Sequence, residues 1–211
     1  MSVYIYGTHA VEHALKNKNR TIHRIIEDKK LLNKLCGDVV HQGIMIETEV
    51  LEGELDYGKH ILLLDQIQDM RNLGAIIRSA ACFGVNNVMF ETGRNCPNIL
   101  QKDNYGMIAK AACGALEYVN LVKINNLSHT IRKLQDLGYW VIGLDEQGEK
   151  INVLQKFEKI VIVVGQEGRG LRALTKANCD LMCSIQTNEH FGCLNASVAA
   201  SVAMFCLSNV A

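Results

Sequence analysis

Residues 61–84 read ILLLDQIQDMRNLGAIIRSAACFG. The opening run, Ile61-Leu62-Leu63-Leu64-Asp65, is short, continuous and apolar, which is the pattern of a buried strand. Asn72 then offers a helix N-cap, and Gly84 suits the position just past a helix end. Between them Ile76, Ile77, Ala80, Ala81 and Phe83 recur at helical spacing and face a core. Arg78 stands among these apolar, small residues with no acidic partner four positions away. Taken alone it reads either as a solvated side chain or as an anion-binding or catalytic group.

Working downstream, strand and helix patterns alternate. Residues 88–90 read as a strand, 102–112 as a helix closed by Gly114, 118–122 as a strand and 128–137 as a helix. Two strands, 139–143 and 159–165, run directly into glycine. A short helix near 171–176, an extended stretch at 181–185 and a helix from about 194 to 209 complete the chain. Near-continuous β-branched strands set between helices imply a parallel sheet covered on both faces, so the fold class is α/β.

Upstream, residues 1–53 form a small α/β appendage, with helical spacing from His9 to Lys16 and strand candidates at 22–26 and 43–46. Lys16, Lys18, Arg20, Arg24, Lys29, Lys30 and Lys34 make it locally basic, as either a solvated face or an RNA-touching surface. Residues 52–59 read as a linker, giving two domains, 1–53 and 60–211.

A chain of 211 residues with 48% hydrophobic and 21% charged residues matches an ordinary globular protein and buries a sizeable core. The formal net charge is zero, so any nucleic-acid surface must be a local patch. The eight Cys show no Cys-x-x-Cys spacing, which removes the usual zinc frameworks. No signal peptide and no membrane-spanning run is legible, so a reduced, cytoplasmic protein without a metal is expected.

Ligands of such sheets sit at the carboxyl ends of strands, and two loops there carry polar groups. Gly165-Gln166-Glu167-Gly168-Arg169-Gly170-Leu171 follows a buried strand. Its Gly-x-x-Gly-x-Gly spacing is neither the dinucleotide fingerprint nor a phosphate loop, which disfavours a Rossmann-type dehydrogenase. Either it is a plain tight turn, or Glu167 and Arg169 order a polar ligand against its backbone. The second loop, 186–194, is polar and runs into a helix that Asn195 or Ser197 caps. Ala199, Ala200 and Ala203 suit close helix contact and an oligomer interface. His190 is a lone loop histidine, and no acid–base role is assigned to it.

Three stretches occur in a telling order: Asn72-x-Gly74-Ala75-x-x-Arg78-Ser79-Ala80-Ala81-x-Phe83-Gly84, Gly165-x-Glu167-Gly168-x-Gly170-Leu171, and Leu194-Asn195-x-Ser197-Val198-Ala199. Together they resemble the three motifs of the SpoU (TrmH) family of RNA ribose 2′-O-methyltransferases, in the SPOUT superfamily. Tyr4-Ile5-Tyr6-Gly7-x-His9-Ala10-Val11 and His41-Gln42-Gly43-Ile44 resemble the two ends of a small substrate-binding domain found in members acting on a guanosine of 23S ribosomal RNA.

The resemblance implies a parallel sheet with helices on both faces, a C-terminal trefoil knot holding S-adenosylmethionine, a homodimer, and an RNA substrate. It places Asn72, Arg78, Glu167, Cys193 and Asn195 on functional positions, and Gly165, Ile185, Leu194 and Leu144 against the cofactor. The family gives Arg78 the activating role. An arginine keeps its proton to a pKa above about 12, so a bidentate clamp on a substrate phosphate is the physical reading. Three departures stand out: Cys193 replaces the usual Ser, Gln186 replaces a Pro, and the N-terminal domain is shortened. The expected activity is ribose methylation of ribosomal RNA. A transfer-RNA methyltransferase and a non-catalytic RNA-binding relative are the alternatives.

Overall fold

The structure, a computed structural model, describes residues 2–37, 39–93, 97–188, 190 and 192–208. The N-terminal part folds as β1 (Ser2–Tyr6), α1 (Thr8–Lys16), β2 (Ile22–Ile26), α2 (Lys29–Cys36) and β3 (Met45–Glu49). These strands make an antiparallel sheet in the order β1-β3-β2, with Ser2 opposite Glu49 and Ile26 opposite Met45. The expected strand at 43–46 begins at Met45, because Gly43 is held at φ 84°, outside the extended region.

Beyond an extended stretch the chain makes β4 (His60–Asp65), α3 (Met70–Cys82), β5 (Asn87–Glu91), α4 (Lys102–Ala112), β6 (Asn120–Ile124), α5 (Leu127–Asp136), β7 (Trp140–Lys150), β8 (Ile160–Gly165), α6 (Ala173–Asn178), β9 (Leu181–Ser184) and α7 (Ala196–Ser208). Its six-stranded sheet runs β6-β5-β4-β8-β7-β9, and every neighbouring pair is parallel. The expected end of the last helix at 209 lies outside the described residues.

Alternation along β4 sorts the core. Leu62 and Leu64 point into one apolar cluster with Ile76 and Ile77 of α3, Ile108 of α4 and Met204 of α7. Ile61 and Leu63 point into the opposite cluster with Ile131 and Leu134 of α5. Helices therefore cover both faces, as a fully parallel sheet requires. Gly74 lets α3 and α4 cross closely: a Cβ there would lie 2.4 Å from the Ala111 methyl.

The helix read near 171–176 is α6, two residues later, and three other departures from the sequence reading have a clear physical cause. The cap of α3 is Asp69, whose carboxylate accepts the Arg71 N–H at 2.7 Å, so Asn72 sits inside the helix with its side chain released for other work. Strand β6 starts at Asn120, because a 3-10 turn over Ala115–Glu117 leaves Tyr118 exposed, its hydroxyl 2.9 Å from His13 Nδ1. Strand β7 continues to Lys150, since its far half pairs with β9 (Lys150 opposite Ser184).

The N-terminal sheet shares its core with the large one, for Val3, Ile5, Val11 and Ile46 belong to the α3/α4 cluster. A buried ion pair adds to the contact. The Arg20 guanidinium donates to Glu117 through Nε (2.9 Å) and Nη2 (2.7 Å), to the Tyr105 hydroxyl (3.2 Å), and through Nη1 to the Glu49 carbonyl (2.9 Å).

Candidate active site

The strand order reverses direction between β4 and β8, and crevices at the carboxyl ends of strands beside such a reversal are where α/β sheets take ligands. A cavity of about 380 Å³ opens there, formed by the ends of β7, β8 and β9 and by the approach to α7. That size falls within the range of small-molecule sites.

Its floor is the loop after β8. Gly165 ends that strand so close to the returning chain that a Cβ would lie 2.3 Å from the Gly170 carbonyl carbon. Backbone N–H groups of Gln166 and Gly170 donate to each other's carbonyls, at 3.1 and 2.8 Å, closing a tight bend. Gly168 (φ 78°) and Gly170 (φ 65°) adopt left-handed conformations that disfavour side chains.

The walls are mixed. Leu144, Val164, Ile185 and Leu194 present apolar surface, and Asp145, Glu146, Glu167, Arg169 and Lys176 present charge. Lys176 donates to the Asp145 carboxylate, and that hydrogen bond, helped by the Gln147 N–H, holds Asp145 below the usual carboxylate range. Apolar walls, a backbone-lined bend and a local excess of carboxylates suit a ligand that is part nucleoside and part cation.

Glu167 is the hub of the polar groups. Its Oε2 accepts the Asn72 amide at 2.8 Å and the Asn195 amide at 3.1 Å, and Asn195 also donates to Asn72 Oδ1 at 3.1 Å. These residues are 95, 28 and 123 positions apart along the chain. Of the two capping candidates for α7, the structure selects Asn195: its Oδ1 accepts the Ser197 N–H (2.9 Å) and hydroxyl (2.6 Å). Gln166, Glu167 and Ala196 also line a second cavity of about 200 Å³, together with Asn72 and Asp69. The carboxylate therefore stands between two openings.

Sequence-expected residues divide accordingly. Gly165, Ile185, Leu194, Leu144, Cys193 and Glu167 line the larger cavity, and Asn72 and Asn195 join Glu167. Arg78 is not brought there. It is exposed on α3, its Nη1 3.6 Å from Cys113 Sγ, and it lines neither opening. Asp145, Lys176 and Cys183 line the cavity without having been expected. The signal for Asp145 was visible, an acid directly after the apolar run 141–144; Lys176, on the short helix α6, carried none.

Residues 59–205 match the model of the SpoU rRNA Methylase family. The chain belongs to the SpoU family. Among curated proteins it is 32% identical, over an alignment 249 positions long, to the 23S rRNA (guanosine-2′-O-)-methyltransferase RlmB of Pasteurella multocida, with 97% of each chain covered. The RlmB of Escherichia coli is 30% identical over an alignment 244 positions long, again with 97% of each covered. Among solved structures, an AdoMet-bound rRNA methyltransferase from Sinorhizobium meliloti superposes with a TM-score of 0.82 at 18% identity, covering 97% of this chain and 86% of that one. AviRb of Streptomyces viridochromogenes, a SpoU methyltransferase in complex with AdoMet, gives 0.79 at 16% identity, covering 99% and 89%. In this SpoU family member the fold is thus an α/β parallel sheet flanked by helices, as in those enzymes.

Proposed function

We propose that this SpoU family member is an S-adenosylmethionine-dependent RNA methyltransferase that modifies a ribose 2′-hydroxyl, with a guanosine of 23S ribosomal RNA as its target. The observation that carries the reading is Glu167, held by Asn72 and Asn195 where the two cavities meet. Full-length similarity to the RlmB proteins supports the choice of RNA.

The larger cavity fits the cofactor in kind: a glycine bend offering backbone groups, apolar sides, and carboxylates on its wall that suit a cationic group. Gly165, Ile185, Leu194 and Leu144 would hold it. Bound there, S-adenosylmethionine supplies an electrophilic methyl group. The protein's own part is alignment and charge. Among the described residues both amide bonds to Glu167 fall on Oε2. Its Oε1 is left to accept a bond from a ribose hydroxyl, orienting the oxygen for in-line attack. Fixed beforehand by two amides, Glu167 needs no reorganisation as charge moves.

Arg78 enters this scheme through a homodimer. Its guanidinium is exposed on α3, beside an α7 face that exposes Val198 (46%) and Phe205 (52%). Pairing two copies across these helices would bring the Arg78 of one toward the cavity of the other. There it would clamp the phosphate next to the target ribose and ease loss of the hydroxyl proton. A C-terminal trefoil knot is proposed as well: β9 pairs outside β7, and the chain then returns through α7 to pack on α3. Residues 1–53 are proposed as a shortened RNA-binding domain, 60–211 as the catalytic domain, and the cytoplasm as the location. No helix among the described residues is long and apolar enough to cross a membrane.

Calorimetry with S-adenosylmethionine, followed by transfer of labelled methyl to unmodified total RNA and mapping of the modified ribose, tests the reading. Label in 23S ribosomal RNA is the expected result, and label in transfer RNA would move the target. Cofactor binding without transfer would mark a non-catalytic relative, with Cys193 in place of the usual Ser as its sign, an outcome that the presence of Asn72, Arg78, Glu167 and Asn195 argues against.

A further inference from the structure

Both ends of the glycine bend lead to one buried carboxylate. Asp65, the last residue of β4, has a side chain with no exposed surface, and it lies in register beside Gly165, where the bend begins. At the other end, Arg172 returns to the same group. Its backbone N–H donates to Asp65 Oδ2 at 3.0 Å, and its Nε donates to Oδ1 at 2.5 Å. The guanidinium extends further, with Nη2 donating to Glu91 Oε2 at 2.8 Å at the end of β5. Glu91 in turn accepts the Leu127 N–H, at the first turn of α5, at 3.2 Å.

We infer that Arg172 is a positioning residue that holds the Gly165–Gly170 bend, and with it Glu167, in the shape that receives the methyl donor. This rests on the methyltransferase reading above. Stability alone gives little reason for such an arrangement, since the Arg172 side chain is 36% exposed, and pairing a buried carboxylate is on average no more stabilising than apolar side chains of the same volume. What the fork supplies is direction: three donors of one residue fix the loop's exit on two strand ends. Leu171, buried just before it, and the 166/170 backbone pair then leave the bend little freedom. An ordered bend loses less entropy when a ligand settles on its backbone, which raises affinity without a new contact.

Arg172→Lys tests this while keeping a positive charge beside Asp65, so that the buried carboxylate is not stranded. Glu91→Gln cuts only the outer arm and leaves an oxygen for the Leu127 N–H. Both are read by calorimetry with S-adenosylhomocysteine, by melting of the free protein, and by steady-state kinetics with RNA. The expected result is a Kd for S-adenosylhomocysteine raised about tenfold in Arg172→Lys, and by a smaller factor in Glu91→Gln. The KM for S-adenosylmethionine should rise with it, and the KM for RNA should stay within about twofold. An unchanged Kd in both variants overturns the inference, whether or not the melting temperature falls. Should Arg172→Lys not fold, Glu91→Gln alone decides. A wild-type protein that binds neither compound refutes the methyltransferase reading itself, a separate outcome from variants that bind as the wild type does.

Discussion

Replacing Arg20 by Met should show that the N-terminal sheet and the parallel sheet unfold as one unit. The side chains of Arg20 and Glu117 are 0% and 3% exposed. Loss of the guanidinium strips Glu117 of two bonds, the Glu49 carbonyl of one and the Tyr105 hydroxyl of one. The Asn17 amide, 2.7 Å from Glu117 Oε2, remains as a donor but brings no charge. Removing one partner of a buried pair costs roughly 3–5 kcal/mol. With the Asn17 bond retained, about 3 kcal/mol is the better figure, and at roughly 2–4 °C per kcal/mol for a chain of this size Tm should fall by about 6–12 °C. The double variant Arg20→Met/Glu117→Leu leaves no buried charge and should recover to within about 1 kcal/mol of the wild type. Scanning calorimetry and urea unfolding of the three proteins measure both. A single transition is expected throughout, because Val3, Ile5 and Val11 lie in the same cluster as α3 and α4. A Tm loss under about 3 °C in Arg20→Met, or a double variant no more stable than the single one, refutes the reasoning.

Three shorter predictions concern the site. Arg78→Lys keeps the charge and loses the fork, so single-turnover methyl transfer should slow by about two orders of magnitude with Tm unchanged, and wild-type turnover would remove Arg78 from the mechanism. Burial pushes the thiols of Cys179 and Cys183 up to about 12 and about 11, whereas Cys193 and Cys82 are exposed. Iodoacetamide at pH near 8 should therefore label the exposed pair first, and S-adenosylhomocysteine should slow Cys193 but not Cys82; equal protection of both would place the ligand elsewhere. Lys176 lowers the Asp145 pKa in the folded state, so the pair's contribution to stability is present above the ordinary carboxylate value of 3.8 and is lost as pH falls through the lowered one. A carbon NMR titration should find the Asp145 midpoint below 3.8 and move it upward in Lys176→Met, and no movement would show that Lys176 is not the cause.

Much of the site was legible because its parts are local patterns. Ile61 to Leu64 read as a strand buried on both faces, and β4 is one. The helix expected over 102–112 is α4 to the residue, since its apolar spacing and the left-handed Cys113-Gly114 close are both encoded within a dozen positions. Cap selection was less secure. Asp69 and Asn72 are both good capping residues three positions apart, and the structure assigns Asp69 to the cap and Asn72 to Glu167.

What the sequence alone determined is the inventory: alternating strands and helices, a glycine-rich loop after a buried strand, and the amides and carboxylate that belong to a SpoU family member. Periodicity and backbone sterics act between near neighbours, so those features survive without knowledge of the fold. Only the tertiary structure decided which groups meet. Asn72, Glu167 and Asn195 converge because β4 and β8 lie side by side at the sheet's reversal, and Asp65 and Arg172 close the bend for the same reason. It also turned Arg78 outward, away from the cavity of its own chain. Contacts between residues a hundred positions apart are set by strand order and helix packing, and no local pattern encodes those.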